Sequence, residues 1–275
     1  MLHFFRRKKE KTEEKAGRAR IFLFRRRQLM LLGVILSAAA IFAAVNVPAA
    51  VSVSAASRQL PVYCVDRGEK VCAVSFDAAW GADNTGKILD ILERYGIRAT
   101  FFAVGNWVEE YPEQAKAIAA LGNELMNHSN AHGHFNAMSS DEIIADVTAC
   151  SDKIEKLTGA RPTLIRCPFG EYDDHVISAI RSIGMEPVQW DVDSLDWKGI
   201  SADEITRRVT KKIGSGSIVL FHNAGKHTPA ALPGIIETLT EEGYAFVPVS
   251  ELLLPGEYGE DYRIDHTGRQ IRNES

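Results

Sequence analysis

From Val71 to Val247 the chain alternates short apolar, β-prone runs with longer amphipathic stretches that end at glycine. That alternation restricts the fold more than composition does. Strands are expected at Val71–Phe76, Thr100–Val104, a run ending in Leu125-Met126, Thr163–Ile165, Pro187–Trp190, Ser217–Phe221 and Tyr244–Val247. Helices are expected between them, with Gly96, Gly122, Gly159, Gly184 and Gly243 as stops. Ser139 with Glu142, and Ser201 with Glu204, have capping-box spacing and open two of these helices. Seven strands interleaved with helices imply a parallel α/β sheet with right-handed crossovers, either open and doubly wound or closed as a barrel. Polar clusters stand at the C-terminal ends of the strands, at Asp77, His128, Arg166, Asp193/Asp196 and His222. That placement favours a TIM-like barrel, although a switch-point sheet uses the same edge.

The flanks differ from this repeat. Residues 1–27 hold 11 Lys/Arg against 3 Asp/Glu and read as a basic cytoplasmic head. Leu29–Val45 follows with Ser37 as its one polar residue, so 28–48 is expected to be a single transmembrane signal anchor. Positive charge stays inside, which exports the remainder as a membrane-held extracytoplasmic domain. A cleaved signal is the alternative, with small residues at Ser54-Ala55-Ala56, and would give a secreted protein. Residues 49–69 read as a linker, 70–254 as the catalytic domain and 255–275 as a polar surface tail. Beyond residue 27 the chain carries 21 basic against 33 acidic residues, which excludes nucleic acid as a partner class. Cys64, Cys72, Cys150 and Cys167 lack metal-ligand spacing; a Cys64–Cys72 disulfide and free buried thiols both stay open.

The clusters carry the chemistry. Asn127-His128-Ser129-Asn130-Ala131-His132 sets two imidazoles four apart, as metal ligands or as polar loop histidines. Asp77, in Ser75-Phe76-Asp77-Ala78-Ala79-Trp80-Gly81, reads as a general base, a metal ligand or a helix cap. Arg166, before Cys167-Pro168-Phe169-Gly170, suits a guanidinium clamped on a carboxylate or a surface ion pair. Trp190-Asp191-Val192-Asp193-Ser194-Leu195-Asp196-Trp197 alternates aromatics with carboxylates, as a sugar groove does, while core packing is open for Trp190. His222, closing Ile218-Val219-Leu220-Phe221, is a structural histidine unless a carboxylate orients it as a general acid.

Taken in order, Ser-Phe-Asp, His-Ser-x-x-His, Arg-x-Pro-Phe-Gly, Asp-x-x-Asp-Trp and Leu-x-His resemble the five motifs of the polysaccharide deacetylases, carbohydrate esterase family 4 with its NodB-homology domain. The resemblance covers about Lys70 to Leu254. It implies a distorted (β/α)7 barrel and a metal-dependent N-deacetylase acting on acetylated glycans such as peptidoglycan or chitin-like oligosaccharide. It implies Asp77 as base, Arg166 as its tether, His222 as acid and Asp196 as the carboxylate tuning that acid. His128 and His132 match the ligands of a divalent metal, usually Zn2+, with Co2+, Ni2+ or Mn2+ as alternatives. Trp80, Pro168, Phe169, Gly170, Trp197 and Leu220 match the substrate-lining positions. One position departs: the family's second motif-one carboxylate is Ala78 here. Asp83 is the nearby carboxylate expected to replace it as third ligand. The Asp-Ala-Ala-Trp-Gly variant resembles the sporulation-associated branch, and Ala78 also supports a catalytically reduced glycan-binding protein on the same fold.

Overall fold

The structure is a computed structural model and describes residues 30–31, 33–38 and 58–273. Residues 30–31 and 33–38 are helical. The expected basic head and most of the expected anchor lie outside the described residues. Among those described, no helix is long and apolar enough to cross a membrane.

The domain is built on one curled sheet. Its strands are β1 (Cys64–Val65), β2 (Val71–Ala78), β3 (Thr100–Ala103), β4 (Glu124–Asn127), β5 (Leu164–Ile165), β6 (Glu186–Pro187), β7 (Val192–Asp193), β8 (Ser217–His222), β9 (Ala245–Phe246), β10 (Tyr262–Ile264) and β11 (Arg269–Arg272). The order is β10-β11-β1-β8-β2-β3-β4-β5-β6, with β7 also on β8 and β9 on β2. β8, β2, β3, β4, β5 and β6 are successively parallel, and β7 adds to β8 in parallel. This mixed α/β fold has a curled, half-barrel sheet consistent with the expected distorted barrel; it is not closed, because β6 and β7 do not pair. A strap at 62–65 spans that break, with Val62 bridging Val188 and Cys64 registering with Ser217.

Helices α1 (Thr85–Tyr95), α2 (Gly105–Glu110), α3 (Pro112–Ala120), α4 (Ser140–Thr158), α5 (Asp174–Ser182), α6 (Ala202–Lys212), α7 (Thr228–Glu241) and α8 (Val249–Leu252) complete the domain. Both capping boxes form, with Ser139 on Glu142 and Ser201 on Glu204. Gly96 and Gly159 close α1 and α4 in the left-handed conformation, at φ 64 and 78.

Strand parity divides the core. Val74, Phe76 and Ala78 of β2, with Val219 and Phe221 of β8, face the helices and pack with Ile88, Leu92, Ile235 and Leu239. Val71, Ala73, Phe102 and Ile218 face inward and pack with Val62, Val65 and Leu164. Ser75, Asp77, Leu220 and His222 continue that inward file to the strand C-terminal ends, where apolar filling gives way to polar groups.

Two boundaries differ from expectation. The 255–275 tail contains the hairpin β10–β11, whose second strand, β11, pairs with β1 inside the expected linker. Its strands alternate charged residues with Tyr262 and Gln270, and this carried no apolar signal although both are buried. Cys64 and Cys72 flank Ser217 from opposite sides of β8, two strand spacings apart. That is roughly 9–10 Å, beyond disulfide reach, and all four thiols are free and buried.

Candidate active site

β2 and β8 lie side by side in a register that pairs Asp77 with His222. Both side chains point to the inner face, at the C-terminal rim. Arg166, just past β5, crosses beneath them fully buried. Its Nη1 donates to Asp77 Oδ1 at 2.7 Å, and its Nη2 donates to Ser75 Oγ at 2.9 Å and Gln189 O at 3.0 Å. The guanidinium lies 4.2 Å from the Phe102 ring centroid. Burial alone would raise the Asp77 pKa. The charge of Arg166 with its hydrogen bond, and that of His222, outweigh it and hold the carboxyl below its ordinary value.

The histidine loop is shaped by short polar side chains. Asn127 ends β4 and donates Nδ2 to Val147 O and Ser151 Oγ of α4, while its Oδ1 accepts from Ser129 N. Ser129 and His132 adopt left-handed φ of 68 and 57, and Ser129 Oγ accepts from His132 N. The backbone N–H of Asn130 is held by Asp146 Oδ1. The imidazoles of His128 and His132 stand edge to face with centroids 4.9 Å apart. His128 donates Nδ1–H to Arg166 O at 2.7 Å, which leaves Nε2 unprotonated, 3.5 Å from Asp77 Oδ2. Burial lowers the pKa of both rings, that of His132 to about 4, so both are neutral at neutral pH.

His222 is oriented from behind. Its Nδ1–H donates to Asp196 Oδ1 at 2.8 Å, and its backbone N–H to Asp196 Oδ2 at 2.8 Å. Burial disfavours the imidazolium. The Asp196 hydrogen bond and the charges of Asp77 and Asp196 outweigh that, so its pKa is raised. The opposite nitrogen, Nε2, is left for the cleft.

These groups line a cleft of about 720 Å³, rimmed by Trp80, Phe169 and Trp197, all more than half exposed. Trp80 and Phe169 flank His132, with centroids at 4.6 and 4.4 Å. Gly170, Leu220, Trp190 and Asp193 also line it.

A model of the polysaccharide deacetylase family matches residues 65–188. The peptidoglycan-N-acetylglucosamine deacetylase of Bacillus cereus is 34% identical over 194 residues, which cover 69% of this chain and 91% of that protein. The chain belongs to the polysaccharide deacetylase family. The peptidoglycan-N-acetylmuramic acid deacetylase PdaC of Bacillus subtilis is 38% identical over 188 residues, 68% of this chain but 40% of PdaC, so the chain spans less than half of that relative. Among solved structures, BA3943 of Bacillus anthracis, described as a CE4 family pseudoenzyme, aligns with TM-score 0.68 and 34% identity over 70% of this chain and 68% of its own.

Within this family framework, Asp77, His128, His132, Asp196 and His222 converge on one cleft, over Arg166. Pro168 does not line it; it is buried at the start of the turn that presents Phe169. Asp83 does not join the histidines. It is exposed, outside the cleft lining, with its charge felt at Tyr111. The loop that carries it is pinned elsewhere: Gly81 O accepts from Trp107 Nε1 and Asn223 Nδ2. Ala78 is fully buried in the outer apolar layer and offers no donor atom. Among the described residues no three His, Cys, Asp or Glu side chains form a metal-holding group. Two neutral imidazoles do fit a borderline cation. His128 Nε2 carries a free lone pair, and His132 Nδ1 is buried without a hydrogen-bond partner.

Ser75 and Asn127 stand inside the motifs but had no assigned role, and Gln189 and Thr228 lie outside the motifs; each is bound to at least one partner 20 or more residues away. His134 stacks flat on Phe169 at 4.3 Å and is held by Glu171 at 3.0 Å, so it steadies the rim.

Proposed function

We propose that the chain hydrolyses the acetamide of N-acetylated sugars in peptidoglycan, releasing acetate and a free amine. The observation that carries this reading is the pairing of Asp77 with His222 on neighbouring strands, one clamped by Arg166 and the other by Asp196, beside His128 and His132. A divalent cation held by His128 and His132, with Zn2+ favoured by imidazole ligation, would supply Lewis-acid polarisation of the acetyl carbonyl. Asp77 Oδ2 is the ionised base that takes the proton of the attacking water. Arg166 keeps that carboxylate charged and aimed. His222 donates its Nε2 proton to the sugar nitrogen as the C–N bond breaks, and Asp196 compensates the charge on the ring. Trp80, Phe169 and Trp197 offer apolar faces for neighbouring sugar rings, which supports a polymer over a free monosaccharide.

The basic head before the apolar run at 29–45 supports an extracytoplasmic domain held to the membrane by its N-terminus. Purified protein supplied with Zn2+ should release acetate from N-acetylglucosamine oligomers or from peptidoglycan. A folded, metal-loaded preparation that releases none from either substrate overturns the reading. Ala78 and the likeness to a pseudoenzyme favour one second reading, a glycan-binding protein without turnover. Saturable oligosaccharide binding without acetate release would establish it.

A further inference from the structure

We propose that Thr228 is a positioning residue for His222, acting through Asp196, and that Gly225 is a glycine because this assembly leaves no room for a side chain. The inference rests on the hydrolytic reading for its kinetic test, but its geometry stands on separate observations. Asp196 is 1% exposed and accepts three hydrogen bonds. Oδ1 receives the ring Nδ1–H of His222, while Oδ2 receives the His222 backbone N–H at 2.8 Å and the Thr228 hydroxyl at 2.6 Å. Thr228 is itself fully buried and opens α7. A hydroxyl at a helix start ordinarily caps free N–H groups of its own helix. This one is instead aimed across the cleft wall at a carboxylate that already holds the acid. It is the second donor on Oδ2, and with the His222 N–H it fixes the carboxylate so that Oδ1 leaves the imidazole one orientation, Nδ1 inward and Nε2 to the cleft.

Gly225 supplies the second observation. Its φ is not in the left-handed region, so backbone conformation does not demand glycine there. Space does. A Cβ at 225 would collide with the Thr228 hydroxyl and lie 2.5 Å from Asp196 Oδ2 and 3.0 Å from its Cγ. The backbone cannot retreat freely. Gly225 N donates to His222 O at 3.0 Å, and Gly225 O accepts from Asn84 Nδ2 at 3.0 Å. Asn223, between them, is tied to Gly81 O and Thr85 Oγ1. The turn from His222 to Thr228 is therefore closed around the carboxylate, and a methyl group at 225 must push Asp196 and Thr228 apart.

The test compares the full chain with Thr228→Val, Thr228→Ser and Gly225→Ala. Two readouts are needed: kcat and KM for acetate release from an N-acetylglucosamine oligomer, and the downfield proton resonance of the His222 Nδ1–H shared with Asp196. We expect Thr228→Val to lower kcat about 10- to 100-fold, the scale seen when partners behind a working histidine are lost, with KM unchanged and the Nδ1–H resonance displaced or gone. Thr228→Ser keeps the hydroxyl and restores both readouts. Gly225→Ala matches or exceeds the valine variant. If Thr228→Val keeps both kcat and the resonance, or if Thr228→Ser fails alongside it, the proposal is overturned. If the parent chain releases no acetate while its resonance still depends on the Thr228 hydroxyl, the positioning role stands and the hydrolytic reading falls.

Discussion

Arg166 is the most heavily committed side chain beneath the cleft, and it sets what removing Asp77 would cost. A buried guanidinium facing a carboxylate at 2.7 Å is stabilising only as a pair. Asp77→Ala removes the proposed base and strands the positive charge. Acetate release should fall about 10²- to 10⁴-fold, and denaturant titration should show a loss of roughly 3–5 kcal/mol. A variant that loses activity at full stability would mean the pair is not buried as described. The same pair gives a pH sign. The Asp77 pKa is held below its ordinary value, so its contribution is present above the unfolded pKa near ~3.9 and is lost as pH falls through the folded one. His222 has the opposite sign. Burial opposes its charge, but Asp196 and Asp77 raise its pKa, and the acid is active only while protonated. The alkaline limb of the kcat profile should therefore lie above the ordinary imidazole value of ~6.5. Asp196→Asn should move that limb downward; an unmoved limb would assign it to another group.

At the scale of elements, the helices carry their own boundary signals and the short strands do not. Ser139 and Glu142 close a capping box at the start of α4, which reaches the site through Val147 O and Ser151 Oγ on Asn127. Ser139→Ala should cost about 1 kcal/mol in thermal or denaturant unfolding and leave kcat unchanged below the transition, because those anchors lie about two turns or more further on. A large kcat loss would show that the cap, and not the anchors, sets the loop. This local logic explains what was legible. Ser139, Ser201, Gly96 and Gly159 announce helix ends within a few residues of themselves, so the helices are read nearly to the residue. β6 and β7 have two residues each, too short for period-2 alternation to show, so a single strand was expected at Pro187–Trp190 between them, and α2 hides behind the strand-like run Thr100–Val104. Within the candidate site, Asp77, His128, Arg166 and His222 were legible because each follows an apolar run whose end is visible in sequence, His132 by its four-residue spacing from His128, and Asp196 by its place in a run that alternates aromatics with carboxylates. Asp83 misled because closeness in sequence to Ala78 says nothing of direction; Gly81 and Asn84 turn it outward. The roles of Ser75, Gln189 and Thr228 were hidden because their partners lie 91, 23 and 32 residues away.

For the molecule as a whole, the two ends of the barrel do different work. The cleft occupies the C-terminal ends of β2 and β8, whereas β1 meets β8 at Ser217, where β8 begins. The hairpin β10–β11 extends the sheet on that opposite end. It seats Tyr262 in the inner apolar cluster beside Val62 and Val65 and gives Gln270 Oε1 to the Leu254 N–H at 2.8 Å. A chain ending at Leu254 would leave β1 as a two-residue edge strand and vacate the Tyr262 site. Burying one large apolar side chain is worth roughly 1.5–3 kcal/mol, and in a domain of this size each of those kcal/mol shifts the melting temperature by about 2–4 °C. Truncation should therefore lower Tm by roughly 3–12 °C and open the strap at 62–65 to proteolysis. The groups of the candidate site keep every contact described for them, so kcat well below Tm should be unchanged. A truncated chain that melts like its parent would make the hairpin an appendage; one that keeps its Tm but loses turnover would mean the far end of the barrel takes part in the chemistry.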